Sequence, residues 1–268
     1  MSLFGKLLRE ALKEFAEHGY RSEAELQAWL ARLHGALDRE MPNDDEVRRR
    51  LWMAFETVYH RLIARGGIEQ WVPGVSRYTL AQVAPRLRAD LDRRIMAGVG
   101  LIKLNKEQAT AKTLQRFAGW ITSIPAGGAG DVDLREAAAH IGKAPAQVRF
   151  EARRVAIDQG HKLAAAVAAT VADGAGAIAA IWHSNWRQSN YDYRPDHKAR
   201  DGVVYAIRGC WAIEDGLMKR GKAGYLDDIT QPGEEVFCRC TAQYITSLRD
   251  LPDEMLTRKG QESLRAAA

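Results

Sequence analysis

The residues with the most evident capacity for chemistry are a histidine and two cysteines in the last third of the chain. Cys238 and Cys240 flank a single arginine, and His197 precedes them in a dense polar stretch. On a β-strand, residues two apart share a face, so both thiols would point the same way. Two thiolates and an imidazole, completed by Cys210 or another group, are donors that suit zinc. The alternative is that both cysteines are small buried hydrophobic residues, and zinc sites more often have two residues between their cysteines.

His197 is also a candidate general base. Asp196, Arg200 and Asp201 surround it in the sequence, and neighbours of these types adjust the pKa of a histidine for proton transfer. A cluster of these residue types more often forms a hydrogen-bonded turn that fixes a loop. The sequence has no paired nucleophile, no glycine-rich loop between a strand and a helix, and no ladder of carboxylates. A complete catalytic set is therefore missing, and we expect a protein that is not an enzyme.

A third candidate for a functional site is a DNA-binding helix-turn-helix over residues 134–154. Gly142 would form the turn, and the helix after it would present Arg149, Arg153 and Arg154 to DNA. Glu151 lies among these arginines and weakens the positive potential. Any two packed helices joined by a glycine-containing turn would give the same pattern, so we retain it only as an alternative.

The elements that position these residues begin with a predicted helical domain over residues 1–124. Five segments have an N-cap residue followed by apolar residues at helical spacing. The five N-cap residues are Ser2, Ser22, Asn43, Thr79 and Asn105. The glycine-rich stretch 125–130 is the predicted linker that ends this domain.

The second predicted domain covers residues 131–250 and mixes helices with strands. A short helix that ends at Gly142 precedes a long one from Pro145 to Ala172. Short apolar or alternating runs then predict strands at 177–182, 203–207 and 236–245. We therefore expect an α+β fold, in which the helical N-terminal domain precedes a smaller α+β domain with a short antiparallel sheet. Residues 251–268 are predicted to form a loosely held polar tail.

Composition and charge narrow the classes of protein further. The chain has 268 residues and is 46% hydrophobic, which is enough to bury a core and excludes wholesale disorder. Its formal charge of +5 arises in residues 1–150, and this modest surplus is weak evidence for a nucleic-acid partner. Three cysteines are too few for a secreted disulfide framework. Charges recur throughout the first residues, so we expect no signal peptide or membrane anchor, and synthesis in a reducing cytoplasm.

Four motifs follow one another in a specific order. They are ARRVAIDQGHKL (152–163), WHS (182–184), RPDHKARDG (194–202) and PGEEVFCRCTA (232–242). Together they resemble the phage Mu F-like head morphogenesis (minor head protein) family over roughly residues 135–248. The matching positions are Asp158, Gln159, Lys162, Trp182, Arg194, Pro195, His197, Gly202, Pro232, Gly233, Cys238, Arg239 and Cys240. Ile157 and Asn190 depart from the family pattern.

The resemblance implies a low-copy structural component of the head of a tailed phage or prophage. Such a protein is made in the cytoplasm of the host bacterium, resides in the virion head, and associates with portal, major capsid or scaffold proteins. Non-specific contact with DNA is a separate expectation, which rests on the modest positive surplus of residues 1–150. The family has no firmly assigned enzymatic activity. Because related domains occur in toxin-like proteins, the alternative is a nuclease- or toxin-like enzyme that uses His197, Arg200 and Arg239.

Overall fold

The computed structural model describes residues 2–129 and 132–267, apart from the side chain of Arg149. Gly130 and Asp131, at the junction of the predicted linker and second domain, lie outside the described residues, as do Met1 and Ala268. The predicted α+β class is confirmed, since long helices fill the N-terminal region and a small antiparallel sheet lies in the C-terminal part.

The chain begins with three helices whose starts were predicted from their caps. Helix α1 spans Leu3–His18, α2 spans Glu23–Glu40 and α3 spans Asp44–Ile63. The side-chain oxygens of Ser2, Ser22 and Asn43 accept the backbone N–H groups three residues ahead, at 3.0, 3.3 and 2.8 Å. The local capping signal therefore sets these three boundaries correctly.

Helix α4 is longer than predicted and begins at a different cap. It spans Arg77–Thr122 without interruption. The hydroxyl of Ser76 accepts the backbone N–H of Thr79 at 3.0 Å, so the N-cap is Ser76 and not Thr79. The predicted new helix at Asn105 is wrong. Ile102 and Ala109 are both buried, so the apolar stripe continues past Asn105 and the helix continues with it.

Helix α5 replaces the two helices predicted on either side of Gly142. It spans Leu134–Gly174 with Pro145 inside it, and the carboxylate of Asp133 caps its first turn. Proline removes one helical N–H and does not force an end when the flanking residues stay packed; here Ile141, Ala144 and Val148 are all buried. A continuous helix has no turn at this point, so the predicted helix-turn-helix over residues 134–154 is wrong.

The described residues form two compact units, which differ from the predicted domains. The helical unit comprises Met1–Leu51 and Met96–Ala156, and the mixed unit comprises Trp52–Ile95 and Ile157–Ala268. The division does not fall at the predicted linker. That segment packs on α1 within the helical unit, where the Ala129 N–H donates to the Ala16 carbonyl at 2.8 Å.

The core of the helical unit consists of apolar side chains from α1, α2 and the neighbouring parts of α4 and α5. Phe15 and Phe117 are fully buried and meet edge to face, with ring centroids 6.2 Å apart. Around them lie buried leucines, isoleucines and alanines, among them Leu12, Leu33, Leu37 and Ile121. The amphipathic pattern of the helices accounts for this core directly.

The mixed unit contains the sheet. Strand β1 spans Ala179–His183, β2 spans Val204–Ala206 and β3 spans Thr241–Ile245. Their order is β2-β1-β3 and both pairings are antiparallel, with Ala180 opposite Tyr205 on one side and Tyr244 on the other. The first two strand predictions are confirmed in position. The third is wrong for residues 236–240, which form turns and irregular backbone before β3 begins.

Three short helices complete the mixed unit: α6 over Pro195–Ala199, α7 over Trp211–Glu214 and α8 over Arg258–Ala266. The predicted loose tail is folded, which corrects the expectation for residues 251–268. Met255 and Leu256 are buried, and the Met255 carbonyl accepts the Lys219 N–H at 2.9 Å. Buried apolar residues, together with hydrogen bonds from Thr257 to the Gly216 and Leu217 carbonyls, hold a segment whose average composition is polar. Within the described residues, no helix has an apolar stretch long enough to cross a membrane.

Candidate functional site

His197 lies at the centre of the predicted motif residues. It is on the short helix α6, which begins with Pro195 at its first turn, and only 1% of its surface is exposed. Its ring packs edge to face against the indole of Trp182 on β1, with centroids 5.3 Å apart. Strand β1 and helix α6 therefore fix the position of the imidazole.

The two motif cysteines approach the same nitrogen of this ring. The Nδ1 atom of His197 lies 3.6 Å from the sulfur of Cys238 and 3.4 Å from the sulfur of Cys240. All three side chains are buried, and their donor atoms lie within 4.8 Å of one another. They form one buried group that could hold a metal ion. Cys210 lies elsewhere, with its sulfur against that of Met218.

The loop that carries the cysteines brings their sulfurs together through turns, whereas the sequence predicted that a strand would do so. Residues 236–240 are not extended in a sheet. Gly233 has a φ of 80°, and its N–H points to the sulfur of Cys238 at 3.4 Å. Phe237 has a φ of 59°, a conformation that costs a non-glycine residue about 1–2 kcal/mol. The turns, rather than a strand, direct both thiols towards His197.

Motif residues of α5 hold this loop in place. The buried carboxylate of Asp158 accepts the N–H of Phe237 at 2.7 Å and lies 3.3 Å from the ammonium of Lys162. Gln159 is buried beside it and donates to the same carboxylate at 3.4 Å. The strained residue of the cysteine loop is therefore anchored by a hydrogen bond to a buried ion pair.

Two carboxylates face the other nitrogen of the His197 ring. The Nε2 atom lies 3.7 Å from an oxygen of Glu235 and 3.8 Å from an oxygen of Asp196. Among the described residues, this buried nitrogen has no partner within hydrogen-bond distance. Glu235 also pairs with Arg194, whose guanidinium donates to the Val236 carbonyl at 3.0 Å. The histidine thus has thiols on one side and acidic groups on the other.

The two thiols do not ionise alike. The pKa of Cys238 is lowered, because the thiol and the backbone N–H of Cys240 and the N–H of Gly233 all donate to its sulfur and together outweigh the opposite effect of burial. The pKa of Cys240 is raised, because it shares its proton with the Cys238 sulfur and is buried next to that negative charge. The group therefore favours one thiolate and one thiol when no cation is bound.

The arginines of the predicted enzyme cluster are engaged in packing. Arg200 donates to Asp196 at 2.9 Å and to Thr230 at 3.1 Å. The guanidinium of Arg239 stacks on Tyr191, 5.0 Å from the ring centroid. Because His197 is almost fully buried, the structure does not bring these three side chains to an open surface as a reactive set.

Two further motif residues, with Lys162, line a cleft on the mixed unit. Pro232 and Gly233 border a cavity of about 440 Å³ together with Trp71 and Tyr244. Burial raises the pKa of Tyr244 to about 12. The PG motif therefore shapes a surface depression as well as the turn that leads to Cys238.

Some contacts of this site could not be predicted from any pattern in the sequence. Asp201, expected next to His197, accepts the backbone N–H of Ser184 and the indole N–H of Trp186, both at 2.9 Å. These hydrogen bonds lower the pKa of its carboxyl group. The Tyr191 hydroxyl accepts the Arg239 N–H at 3.1 Å. Gly202, with a φ of 78°, donates its N–H to the Trp182 carbonyl and joins the α6 turn to β1.

Comparison of the chain with family models, curated proteins and solved structures found no match.

Proposed function

We propose that the protein is a structural assembly protein of a tailed-phage head, a minor capsid protein that acts near the portal during procapsid morphogenesis. The observation that carries this proposal is the convergence of the Mu F-like motifs. Residues from α5, β1, α6 and the cysteine loop, which lie far apart in the sequence, make direct contacts with one another: Asp158 with Phe237, His197 with Trp182, and His197 with both cysteines. A motif set that forms one packed unit supports membership of a family defined by that set.

The burial of these residues favours a structural role over catalysis. His197 is 1% exposed, and a general base must reach its substrate directly or through one water molecule. Arg200 and Arg239 are held by Asp196 and Tyr191. The motif residues thus hold the mixed unit together, and a metal ion in the His/Cys/Cys group would serve stability in this role rather than chemistry.

The helical unit supplies surface suited to protein partners. Leu101, Leu104 and Met96 on α4 are 42%, 48% and 58% exposed, and Phe150 on α5 is 60% exposed. Large exposed apolar side chains are available for contact with another protein, and the mixed unit exposes some as well, among them Met53 and Tyr78. The portal, major capsid or scaffold proteins are the partners that we propose for the helical unit. Residues 1–150 also carry the positive surplus, which supports additional non-specific contact with packaged DNA.

Deletion of the gene from the phage or prophage that encodes the chain tests this function. We expect few infectious particles and an excess of aberrant or empty heads by electron microscopy, with recovery when the wild-type gene is supplied in trans. A variant with Phe150→Asp and Leu104→Asp should complement poorly although it folds, because both side chains are exposed. Normal heads and normal titre in the deletion strain would contradict the proposal.

A nuclease assay separates this function from the enzyme alternative. The purified chain and its His197→Ala variant should both leave DNA intact across a range of divalent cations. Cleavage by the wild-type chain that is lost in His197→Ala, with the variant still folded by circular dichroism, would establish the enzyme instead.

A further inference from the structure

We infer that His197, Cys238 and Cys240 bind one zinc ion, through Nδ1 of the imidazole and the two sulfurs, and that this ion fastens the cysteine loop to helix α6. The inference goes beyond the assembly role, since it concerns the isolated chain and holds whether or not the protein enters a phage head.

The two nitrogen–sulfur separations match those between ligands of a tetrahedral zinc ion. Zinc lies about 2.3 Å from a thiolate sulfur and about 2.0–2.1 Å from an imidazole nitrogen, so a tetrahedral angle places nitrogen and sulfur about 3.6 Å apart. The distances from His197 Nδ1 are 3.6 Å to Cys238 and 3.4 Å to Cys240. Both nitrogen–sulfur pairs therefore have the separation that a shared ion requires.

The surroundings of the donors are those of ligands around a metal. A histidine that binds a metal usually directs its other nitrogen at a carboxylate, which orients the ring. Here Nε2 faces Glu235 at 3.7 Å and Asp196 at 3.8 Å. On the sulfur side, the Gly233 N–H points to Cys238 at 3.4 Å, and the Ser184 hydroxyl lies 3.9 Å from the sulfur of Cys240. The Gly233 N–H stabilises a thiolate at Cys238, and the Ser184 hydroxyl, which accepts from the Cys240 thiol here, can turn to donate once that sulfur is a thiolate.

A purely apolar role for the thiols fits the same geometry less well. Without a cation, Nδ1 would have only two weak sulfur partners. The buried Nε2 has no hydrogen-bond partner among the described residues, and an unpaired buried polar atom destabilises a fold. An ion on Nδ1 gives that nitrogen a strong partner and makes the ring more positive, which favours the two carboxylates that face Nε2 at 3.7 and 3.8 Å. Two sulfurs and one nitrogen favour zinc over magnesium or calcium, which prefer oxygen.

The zinc content of the purified full chain is the first test. The chain, without an affinity tag, is produced in zinc-supplemented medium, dialysed into metal-free buffer and measured by plasma mass spectrometry. We expect about one zinc per chain. Cys238→Ser, Cys240→Ser and His197→Ala should each lower that content about tenfold or more. Cys210→Ser is the matched control and should keep its zinc, because Cys210 packs against Met218.

A cobalt titration makes the test independent of variants that fail to fold. Wild-type apoprotein with Co²⁺ should develop sulfur-to-cobalt charge-transfer bands and the intense visible bands of a tetrahedral site, and zinc should displace the cobalt. His197→Cys, which keeps a soft donor at this position, should retain binding where His197→Ala loses it.

The carboxylate contact gives a finer readout. Glu235→Gln should weaken zinc binding about 10–100-fold, the usual effect of removing such an outer partner. Glu234→Gln is its control, because Glu234 is exposed and accepts only the Gln231 N–H among its described contacts. Equal effects of the two substitutions would remove Glu235 from the site.

The inference is overturned if wild-type chain contains less than about one-tenth of a zinc per molecule after zinc-supplemented expression and apoprotein gives no thiolate–cobalt bands. The cysteines would then be small core residues. This result would leave the assembly role untouched, whereas absence of the protein from phage heads would leave the zinc site untouched.

Discussion

The helical unit and the mixed unit bury different kinds of side chain. Among the described residues of the helical unit, the buried polar side chains are Thr110 and Thr113, and Thr113 donates to the Ala109 carbonyl of its own helix. In the mixed unit they are Asp158, Gln159 and His197. These three lie on helices, and Asp158 and His197 make their contacts with the cysteine loop.

This difference indicates which kind of contact determines the native structure of each unit. Apolar contacts in the helical unit tolerate exchange for other apolar groups of similar volume. A buried carboxylate or imidazole is tolerated only when its particular partners are present. The mixed unit therefore depends on a few buried polar residues, Asp158, Gln159 and His197.

The largest effect is expected from Asp158→Ala. The substitution leaves the Lys162 ammonium, which is 12% exposed at the edge of the cleft, without its partner and removes the acceptor of the Phe237 N–H. Loss of one member of a buried pair costs about 3–5 kcal/mol, measured as the free energy of unfolding in urea. Glu151→Ala, which breaks an exposed pair with Arg154 on the same helix, should cost less than about 0.5 kcal/mol.

A double variant tests whether the charge or the hydrogen bond matters. Asp158→Asn with Lys162→Met keeps an acceptor for Phe237 and removes both charges, so most of the lost stability should return. If Asp158→Ala is no more costly than Glu151→Ala, the mixed unit does not depend on its buried polar residues.

A comparable loss in the helical unit should require a large apolar truncation. Leu33 is fully buried, and Leu33→Ala should cost about 2–5 kcal/mol by loss of burial and creation of a cavity. Leu33→Met should cost less than about 1.5 kcal/mol, since its volume is similar. A Met variant as unstable as the Ala variant would mean that this core needs one particular shape, as the mixed unit needs particular partners.

Alanine substitutions at the two motif glycines distinguish the cost of backbone strain from the cost of a steric clash. Both have positive φ, 78° at Gly202 and 80° at Gly233. A Cβ at Gly202 would meet nothing within 4 Å, whereas at Gly233 it would lie 2.9 Å from the Cβ of Ala165. Gly202→Ala should therefore cost about 1–2 kcal/mol from backbone strain alone, and Gly233→Ala should cost more. Equal midpoints in thermal unfolding would show that the loop can move away from α5.

The smallest expected effect concerns the cap of α4. Ser76→Ala should cost about 1 kcal/mol, since its hydroxyl accepts the Thr79 N–H. Thr79→Ala should cost less, because Thr79 is inside the helix. A larger loss for Thr79→Ala, by the same urea titration, would restore the helix start expected from the sequence.

Local signals were enough for some features of the fold and not for others. The caps Ser2, Ser22 and Asn43 act within one helical turn, so the sequence revealed those helix starts. At Asn105 and Pro145 the local signal favoured a break, but buried residues on both sides kept each helix continuous. Tertiary packing decided these cases.

The candidate site was predictable in its donors but not in its geometry. The residue types of His197, Cys238 and Cys240 indicated a soft donor set, and the structure brings them together through turns rather than through a strand. The contacts of Glu235, Asp201 and Tyr191 join residues that are distant in the sequence. No spacing rule reports such contacts, because they exist only after the loop has folded against β1, α5 and α6.

The presence of the protein in purified heads tests the central claim most directly. Mass spectrometry should be applied to density-purified procapsids and DNA-filled heads, with the major capsid protein as the internal standard and tail-only fractions as the control. The assembly role predicts the chain in both head fractions, at a copy number far below that of the capsid protein, and its depletion from tails. Heads that contain portal and capsid proteins but none of this chain would contradict it.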